Sequence, residues 1–252
     1  MLYLIGIGLN DEKDISVKGL EIVKKVDKIY LESYTSILPN TDVNKLSKFY
    51  GKEIILLERE GMENESSKLI EEAKKKDIAI LIIGDALSAT THISLLEEAK
   101  EKNVEVRIIH NASIFTAVSL TGLQLYKFGK VTSIPFLESS PDLETPYNVI
   151  NENKSLGLHT LCLLDLIPKD GKFMTVNEAI DILVKIEGKK KLNVFNKDTL
   201  CVGCARLGGD YKIVAGEAKD LLKVDFGKPL HCLIIPGELH FIEEEMLNLW
   251  RK

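Results

Sequence analysis

The sequence predicts an α/β protein of two domains, and three observations carry the prediction. Short apolar, β-branched runs alternate with amphipathic helical patterns through the N-terminal half. Those runs are apolar at consecutive positions, as strands covered on both faces of a parallel sheet must be. In the second half the alternation loosens, and two strand-like runs follow each other closely around Gly208-Gly209, which predicts a hairpin and hence a mixed sheet. The expected division is 1–112 and 113–252, with the join near residues 111–122.

In the first domain "LYLIGIG" is a short buried strand by length and branching. Ser16 is placed to cap a helix whose apolar positions are Val17, Leu20, Ile22, Val23 and Val26. "KIYLES" is the next strand, and "TDVNKLSKFYG" a helix with Thr41 as cap and Gly51 as stop. "KEIILLER" is a strand, "ENESSKLIEEAKKKD" an exposed helix, and "IAILIIGD" the most apolar strand of this half. "THISLLEEAKEKN" is a helix and "VEVRIIH" a strand. Beyond "NASIFTAVSLTGL", the strand "KVTSIPF" precedes a turn-rich loop, "SSPDLETP". "HTLCLLDL", "TLCVGCA", "YKIVAGE" and "LHCLIIPG" are four more strands, with helices expected at 176–187 and 241–249 and a shorter one after Gly216.

The formal net charge of −5 over 252 residues gives no basic footprint for nucleic acid. Lys127, Lys130 and the run 189–191 leave a local basic patch open, though the run itself reads as a solvated helix end. The four cysteines, Cys162, Cys201, Cys204 and Cys232, all lie in apolar runs, as buried reduced thiols do. Cys201 and Cys204 have C-x-x-C spacing, but on a strand such residues face opposite sides, so no metal or redox site is expected. The N-terminus lacks a signal-peptide pattern, and no apolar run approaches the ~20 residues of a membrane span, so a soluble, cytoplasmic protein is expected.

Four strand ends could carry chemistry. Gly6-Ile7-Gly8-Leu9-Asn10 begins like a dinucleotide loop, but Asp11 stands at the third glycine and the acidic "NDEKDI" follows. That stretch repels phosphate. The second end is Gly84-Asp85, the third Asn111-Ala112-Ser113-Ile114, and the fourth closes "HTLCLLD". The first three fall at carboxyl ends of strands, where open α/β sheets bind ligands. Asp85 and Ser113 each read equally well as plain helix N-caps. Together, a carboxylate and small residues with no basic partner in the sequence suit a positive ligand without phosphate. S-Adenosylmethionine, a sulfonium cation, fits that description.

Several words of the sequence go further. "LYLIGIGLND", "IYLE.YTS", "GDALSATTH", "HNASIFTAVSLTGLQLYKFGK", "GLHTLCLLD", "MTVNEAIDIL" and "DFGKPLHCLIIPGELHFIEEE" together resemble the diphthine synthase family of the tetrapyrrole (corrin/porphyrin) methylase superfamily, over nearly the whole chain. The resemblance implies two α/β domains with S-adenosylmethionine in the cleft between them, and a homodimer. It implies methylation of a modified histidine of elongation factor 2 in diphthamide biosynthesis, with S-adenosylhomocysteine as product. Cofactor contacts would fall on Leu9, Asp85, Ser88, Ser113 and Ile114, and in the second domain on Leu164, Leu207 and His231. Ala86 stands where the family usually has proline. His231 alone would read as a strand-end histidine; the resemblance makes it an adenine or backbone-mediated contact. His92 and His110 read as structural.

The acceptor implied is the amino group of a 3-amino-3-carboxypropyl arm. An α-amino group has a pKa of about 8, so a usable fraction is already neutral and no catalytic acid or base is named. Alignment and desolvation would supply the rate. Trimethylation needs room, which Ala86, Ser88 and Ala89 could provide, with the Ser88 side chain free to vary because its role is a backbone contact. Two alternatives stand beside this reading. A ring methylase of polyanionic corrins or porphyrins would want more than the four arginines present, Arg59, Arg107, Arg206 and Arg251. A non-catalytic S-adenosylmethionine-binding module is the other.

Overall fold

The computed structural model describes residues 1–88, 92–138 and 143–251, with the backbone alone for 59–65. Ala89, Thr90 and Thr91, and residues 139–142 of the expected loop, lie outside the described residues. The chain divides into two compact units, Met1–Phe115 with Pro168–Asp170, and Thr116–Ile167 with Gly171–Lys252.

The first unit is a five-stranded parallel sheet in the order β3-β2-β4-β1-β5. Its strands are β1 (Leu2–Gly6), β2 (Lys28–Glu32), β3 (Ile54–Leu57), β4 (Ile78–Ile82) and β5 (Val106–Ile109). The central strand β4 is buried along its whole length, as its unbroken apolar run requires. Alternate residues feed two cores, with Ile78, Ile80 and Ile82 in one and Ala79 and Leu81 in the other.

Four helices cover this sheet's connections: α1 (Val17–Lys25), α2 (Val43–Tyr50), α3 (Arg59–Ala73) and α4 (Ile93–Glu101). Ser16 caps α1 through Gly19 N–H at 3.1 Å, as expected. The cap of α2 is Asp42, not Thr41. Its carboxylate accepts from Lys45 N–H at 2.9 Å. Helix α3 begins and ends about one turn earlier than its polar composition suggested, and it is not wholly exposed: Leu69, Ile70 and Ala73 are buried on one stripe.

The second unit holds a mixed sheet in the order β11-β10-β12-β7-β6. Its strands are β6 (Thr132–Ile134), β7 (Thr160–Leu164), β10 (Leu200–Ala205), β11 (Lys212–Glu217) and β12 (His231–Ile235). Only β6 and β7 run parallel; β10 and β11 form the hairpin expected around the Gly-Gly pair. A two-residue ladder, β8 (Leu166–Ile167) with β9 (Lys172–Phe173), was not legible in the sequence. Of the helices α5 (Ile114–Ala117), α6 (Thr145–Ser155), α7 (Val176–Lys190), α8 (Ala218–Leu221) and α9 (Phe241–Asn248), α6 was not expected. Its buried face has Tyr147 and Ile150 among polar residues, too few for a clear period.

The four cysteines are free and buried. Cys201 and Cys204 lie on β10, and Cys204 stands opposite Cys232 in the β10–β12 ladder. Burial pushes the Cys162 and Cys201 thiols well above their ordinary range, which suits packing rather than reactivity. No described helix is long and apolar enough to cross a membrane.

Candidate functional site

Strands β4, β1 and β5 are neighbours, and Ile5 is in register with both Leu81 and Ile109. Their carboxyl ends therefore meet at one edge of the first sheet. There the loops bind each other. Gly8 N–H donates to Gly84 O at 3.2 Å, and Gly84 N–H to Gly8 O at 2.7 Å. Both glycines have positive φ, +82° and +81°, which an L side chain adopts only with strain.

Asp14 organises the first loop. Its carboxylate accepts from Leu9 N–H at 3.0 Å and Asn10 N–H at 2.7 Å. Those backbone donors are the kind a pyrophosphate would need in a dinucleotide site. Here an acid of the chain itself takes them. Asn111 ties the same loop to the third, its amide donating to Gly6 O and Asp14 O, each at 2.9 Å.

Asp85 organises the second loop, and not as a helix cap: α4 begins only at Ile93. One carboxylate oxygen accepts from Leu87 N–H at 3.0 Å and Ser88 Oγ at 3.1 Å. That closes an Asx-type turn. The other accepts from Asn111 N–H at 3.0 Å and meets His110 Nδ1 at 2.8 Å. Burial opposes ionisation, but the hydrogen bonds from Leu87, Asn111, His110 and Ser88 outweigh it and hold the carboxyl below its usual range.

Two expectations change here. Asp85 does have a basic neighbour, His110, which is 69% exposed. Its carboxylate is also engaged by four donors of its own chain, which shape the turn. The Ser88 side chain, expected to be free, is the hydroxyl donor to Asp85.

Leu9, Asp85, Ser88, Ser113 and Ile114 thus all belong to the loops at this edge. A Cβ built at Gly84 would meet its nearest neighbours at ordinary contact distance, 3.8 Å, Ala112 O from the third loop and Leu9 Cδ2 from the first. At Gly6, by contrast, a Cβ would come within 2.6 Å of Gly84 O. The turn is packed tightly against Gly6 and only in ordinary contact at Gly84.

In the second unit Leu164, Leu207 and His231 share one sheet edge. Ala205 pairs with His231, and Cys232 with Leu163, so the ends of β10 and β7 flank the start of β12. Leu207 follows Arg206, whose φ of +51° turns the chain. Arg206 holds that turn through the carbonyls of Asp210, Phe226 and Lys228. His231 Nε2 meets Lys228 O at 3.0 Å, so the proton sits on Nε2. Its Nδ1 is buried with no hydrogen-bond partner among the described residues. Burial lowers the imidazole pKa against the opposing carbonyls of Lys228 and Gly227.

Sequence reasoning missed Asp14, Asn111 and His110. Asp14 lay in the acidic stretch read only as repulsive, and Asn111 was quoted within its loop but given no role.

The profile of the Tetrapyrrole (Corrin/Porphyrin) Methylases matches residues 1–221. A protein of Methanococcus aeolicus named diphthine synthase is 52% identical over 249 residues, covering 98% of this chain and 97% of its own length. A protein of Arabidopsis thaliana named probable diphthine methyl ester synthase is 48% identical over 272 residues, covering 100% of this chain and 98% of its own. A crystal structure described as diphthine synthase superposes with a TM-score of 0.91 at 42% identity, covering 99% of this chain and 95% of that one.

Proposed function

The chain belongs to the tetrapyrrole methylase family and, within it, to the diphthine synthases, and on that premise we propose that it methylates the amino group of the 3-amino-3-carboxypropyl-histidine of elongation factor 2, up to the trimethylammonium form. At the coarser level it is an S-adenosylmethionine-dependent methyltransferase of diphthamide biosynthesis. The proposed cofactor contacts are Leu9, Asp85, Ser88, Ser113 and Ile114 of the first unit and Leu164, Leu207 and His231 of the second. A homodimer working in the cytoplasm belongs to the same reading.

The observation that carries the reading is the first unit's loop set. Asp14 occupies the amides a phosphate would use, and Gly84 beside them presents backbone with no side chain of its own. That arrangement favours a phosphate-free ligand approached closely by backbone. Bound S-adenosylmethionine would supply an electrophilic methyl and a neutral thioether leaving group. The chain's own work is then to bind, to orient and to exclude water, and no acid or base is needed. The buried negative charge of Asp85 favours a cationic ligand beside it.

A polyanionic ring substrate is disfavoured. Arg206 is committed to three backbone carbonyls and Arg107 to Glu105. A second product has a specific observation behind it: the Arabidopsis relative's name specifies a methyl ester. Incubation with labelled cofactor and elongation factor 2 bearing the unmethylated arm, followed by mass spectrometry of the modified histidine, separates the readings. Three methyl groups, all on nitrogen, support the proposal. A fourth on the carboxylate supports the ester reading, and no transfer contradicts both.

A further inference from the structure

His110 has a place at the site but no task there. It follows Ile109, the last residue of β5, and stands at the same carboxyl edge as the Gly84–Ser88 turn. Its Nδ1 meets Asp85 Oδ2 at 2.8 Å. The two side chains differ sharply in exposure: that of Asp85 is 9% exposed and that of His110 69%. A buried acid thus holds one nitrogen of an imidazole whose other nitrogen is turned to solvent.

The hydrogen bond fixes what that outer nitrogen offers. Donors from Leu87, Ser88 and Asn111 keep the Asp85 carboxyl ionised, and an ionised carboxylate only accepts. The shared proton therefore sits on Nδ1. In the neutral ring Nε2 is then an acceptor with a free lone pair. The acid behind Nδ1 also stabilises the imidazolium that forms when Nε2 takes up a proton, as it does wherever a buried carboxylate orients a histidine base.

Successive methylation of one nitrogen produces a proton for such a group. A neutral amine attacks the sulfonium methyl with its lone pair, and the carbon–sulfur electrons leave on the thioether. The product nitrogen is an ammonium, R–NH2+–CH3, with no lone pair left. It must lose a proton before it can attack again. The same holds for the dimethyl form, R–NH+(CH3)2. After the third transfer no N–H remains. The transfers themselves need no base, but the steps between them do.

We propose that His110 is the catalytic residue of those intervening steps: its Nε2 takes the proton from the methylated ammonium, leaving a neutral amine and an imidazolium, and passes that proton to water. Asp85 orients the ring. The inference rests on the N-methylation reading given above and deepens it. The exposure of the ring, which argues against a packing role, is what delivery of a proton to water requires. Methylation of a carboxylate releases no proton, so His110 serves the nitrogen steps alone.

The test is a time course at about pH 8, where the unmodified amine is partly neutral. Elongation factor 2 bearing the unmethylated arm is the substrate, the cofactor is saturating, and mass spectrometry of the histidine counts the methyl groups. Melting curves and calorimetric titration with S-adenosylhomocysteine accompany it. His110→Asn keeps an N–H for Asp85 and removes Nε2. It should bind S-adenosylhomocysteine within about threefold of wild type. His110→Ala removes the ring and leaves room for free imidazole. In both variants the first methyl should appear within about threefold of the wild-type rate. The monomethyl form should then accumulate, because the later transfers slow by about a hundredfold, the low end for a general base. Added imidazole should restore those transfers in His110→Ala and not in His110→Asn. A merely structural role predicts a wild-type product series in His110→Asn, or equal slowing of all three transfers, and either result overturns the proposal. So does a failure of imidazole to restore the later transfers. A wild-type protein that puts no methyl group, or only one, on nitrogen instead overturns the N-methylation reading itself, and this inference with it.

Discussion

Two carboxylates in the two units receive the same number of hydrogen bonds and do different work. Asp85 accepts from Leu87, Ser88, Asn111 and His110. Glu243 accepts from Gln124 N–H at 2.8 Å, His159 Nε2 at 2.9 Å, Lys127 Nζ at 2.7 Å and His240 N–H at 2.8 Å. Around Glu243 everything is closed. His159 is fully buried, and its other ring nitrogen accepts from Gly237 N–H at 2.9 Å. The network pins the start of α9 to the segments before β6 and β7. Around Asp85 the histidine is 69% exposed, and a Cβ at Gly84 would meet its neighbours only at ordinary contact distance. The two acids differ in the histidine each one holds: buried beside Glu243, exposed beside Asp85.

That contrast predicts opposite responses to mutation. The largest effect belongs to Glu243→Ala, which leaves a lysine and a buried histidine without their partner. A stability loss of about 3–5 kcal/mol is expected in denaturant unfolding, with S-adenosylhomocysteine affinity of the folded protein unchanged. A large affinity change would mean that the staple also serves the site. Asp85→Ala should do the reverse in proportion. It loses about 1–3 kcal/mol of stability from stranded donors, while calorimetry shows cofactor affinity down by more than about tenfold. Stability loss with intact affinity would make Asp85 a second staple.

Acid should weaken both units. Burial lowers the pKa of His92 and His159 in their respective units and of His231 from the model-compound value of 6.5. A depressed folded pKa gives stability that is fully present above the unfolded value and lost as pH falls through the folded one. Unfolding midpoints should therefore be level above pH about 7 and decline below about 6.5. The carboxyl of Glu243 is held at about 2, burial being outweighed by its four donors, so its share is lost only below the ordinary carboxylate range. A midpoint that rises on acidification through pH 6 would contradict the account of the histidines. The smallest effect is that of Ser88→Ala. It removes one of four donors to Asp85, and a loss of about 0.5–1.5 kcal/mol with a modest drop in cofactor affinity is expected from paired melts and titrations.

The parts of the fold that sequence shows are those where one strong pattern decides. The unbroken run of β4 and the Gly-Gly hairpin between β10 and β11 are such parts. Helix α6 escaped because two apolar residues among asparagines and glutamates make no period, and the α2 cap was displaced by one residue because Thr41 and Asp42 are both good caps. The loops of the site were legible from Gly84-Asp85 and Gly6-x-Gly8, since glycine and a small acidic stretch at strand ends are local signals. What held those loops was not. His110 and Asn111 lie 25 and 26 residues from Asp85 in sequence, and reach it only because β4 and β5 both flank β1. Pairings of that kind follow from strand order, which the sequence pattern leaves open.

The claim on which the rest depends is that the loop set filled by Asp14 takes a phosphate-free sulfonium cofactor. Parallel calorimetric titrations of the wild-type protein with S-adenosylmethionine and with a nicotinamide dinucleotide test it directly. The account predicts saturable heat with S-adenosylmethionine, lost or strongly weakened in Asp85→Ala, and none with the dinucleotide. Tight dinucleotide binding with no heat from S-adenosylmethionine would contradict it.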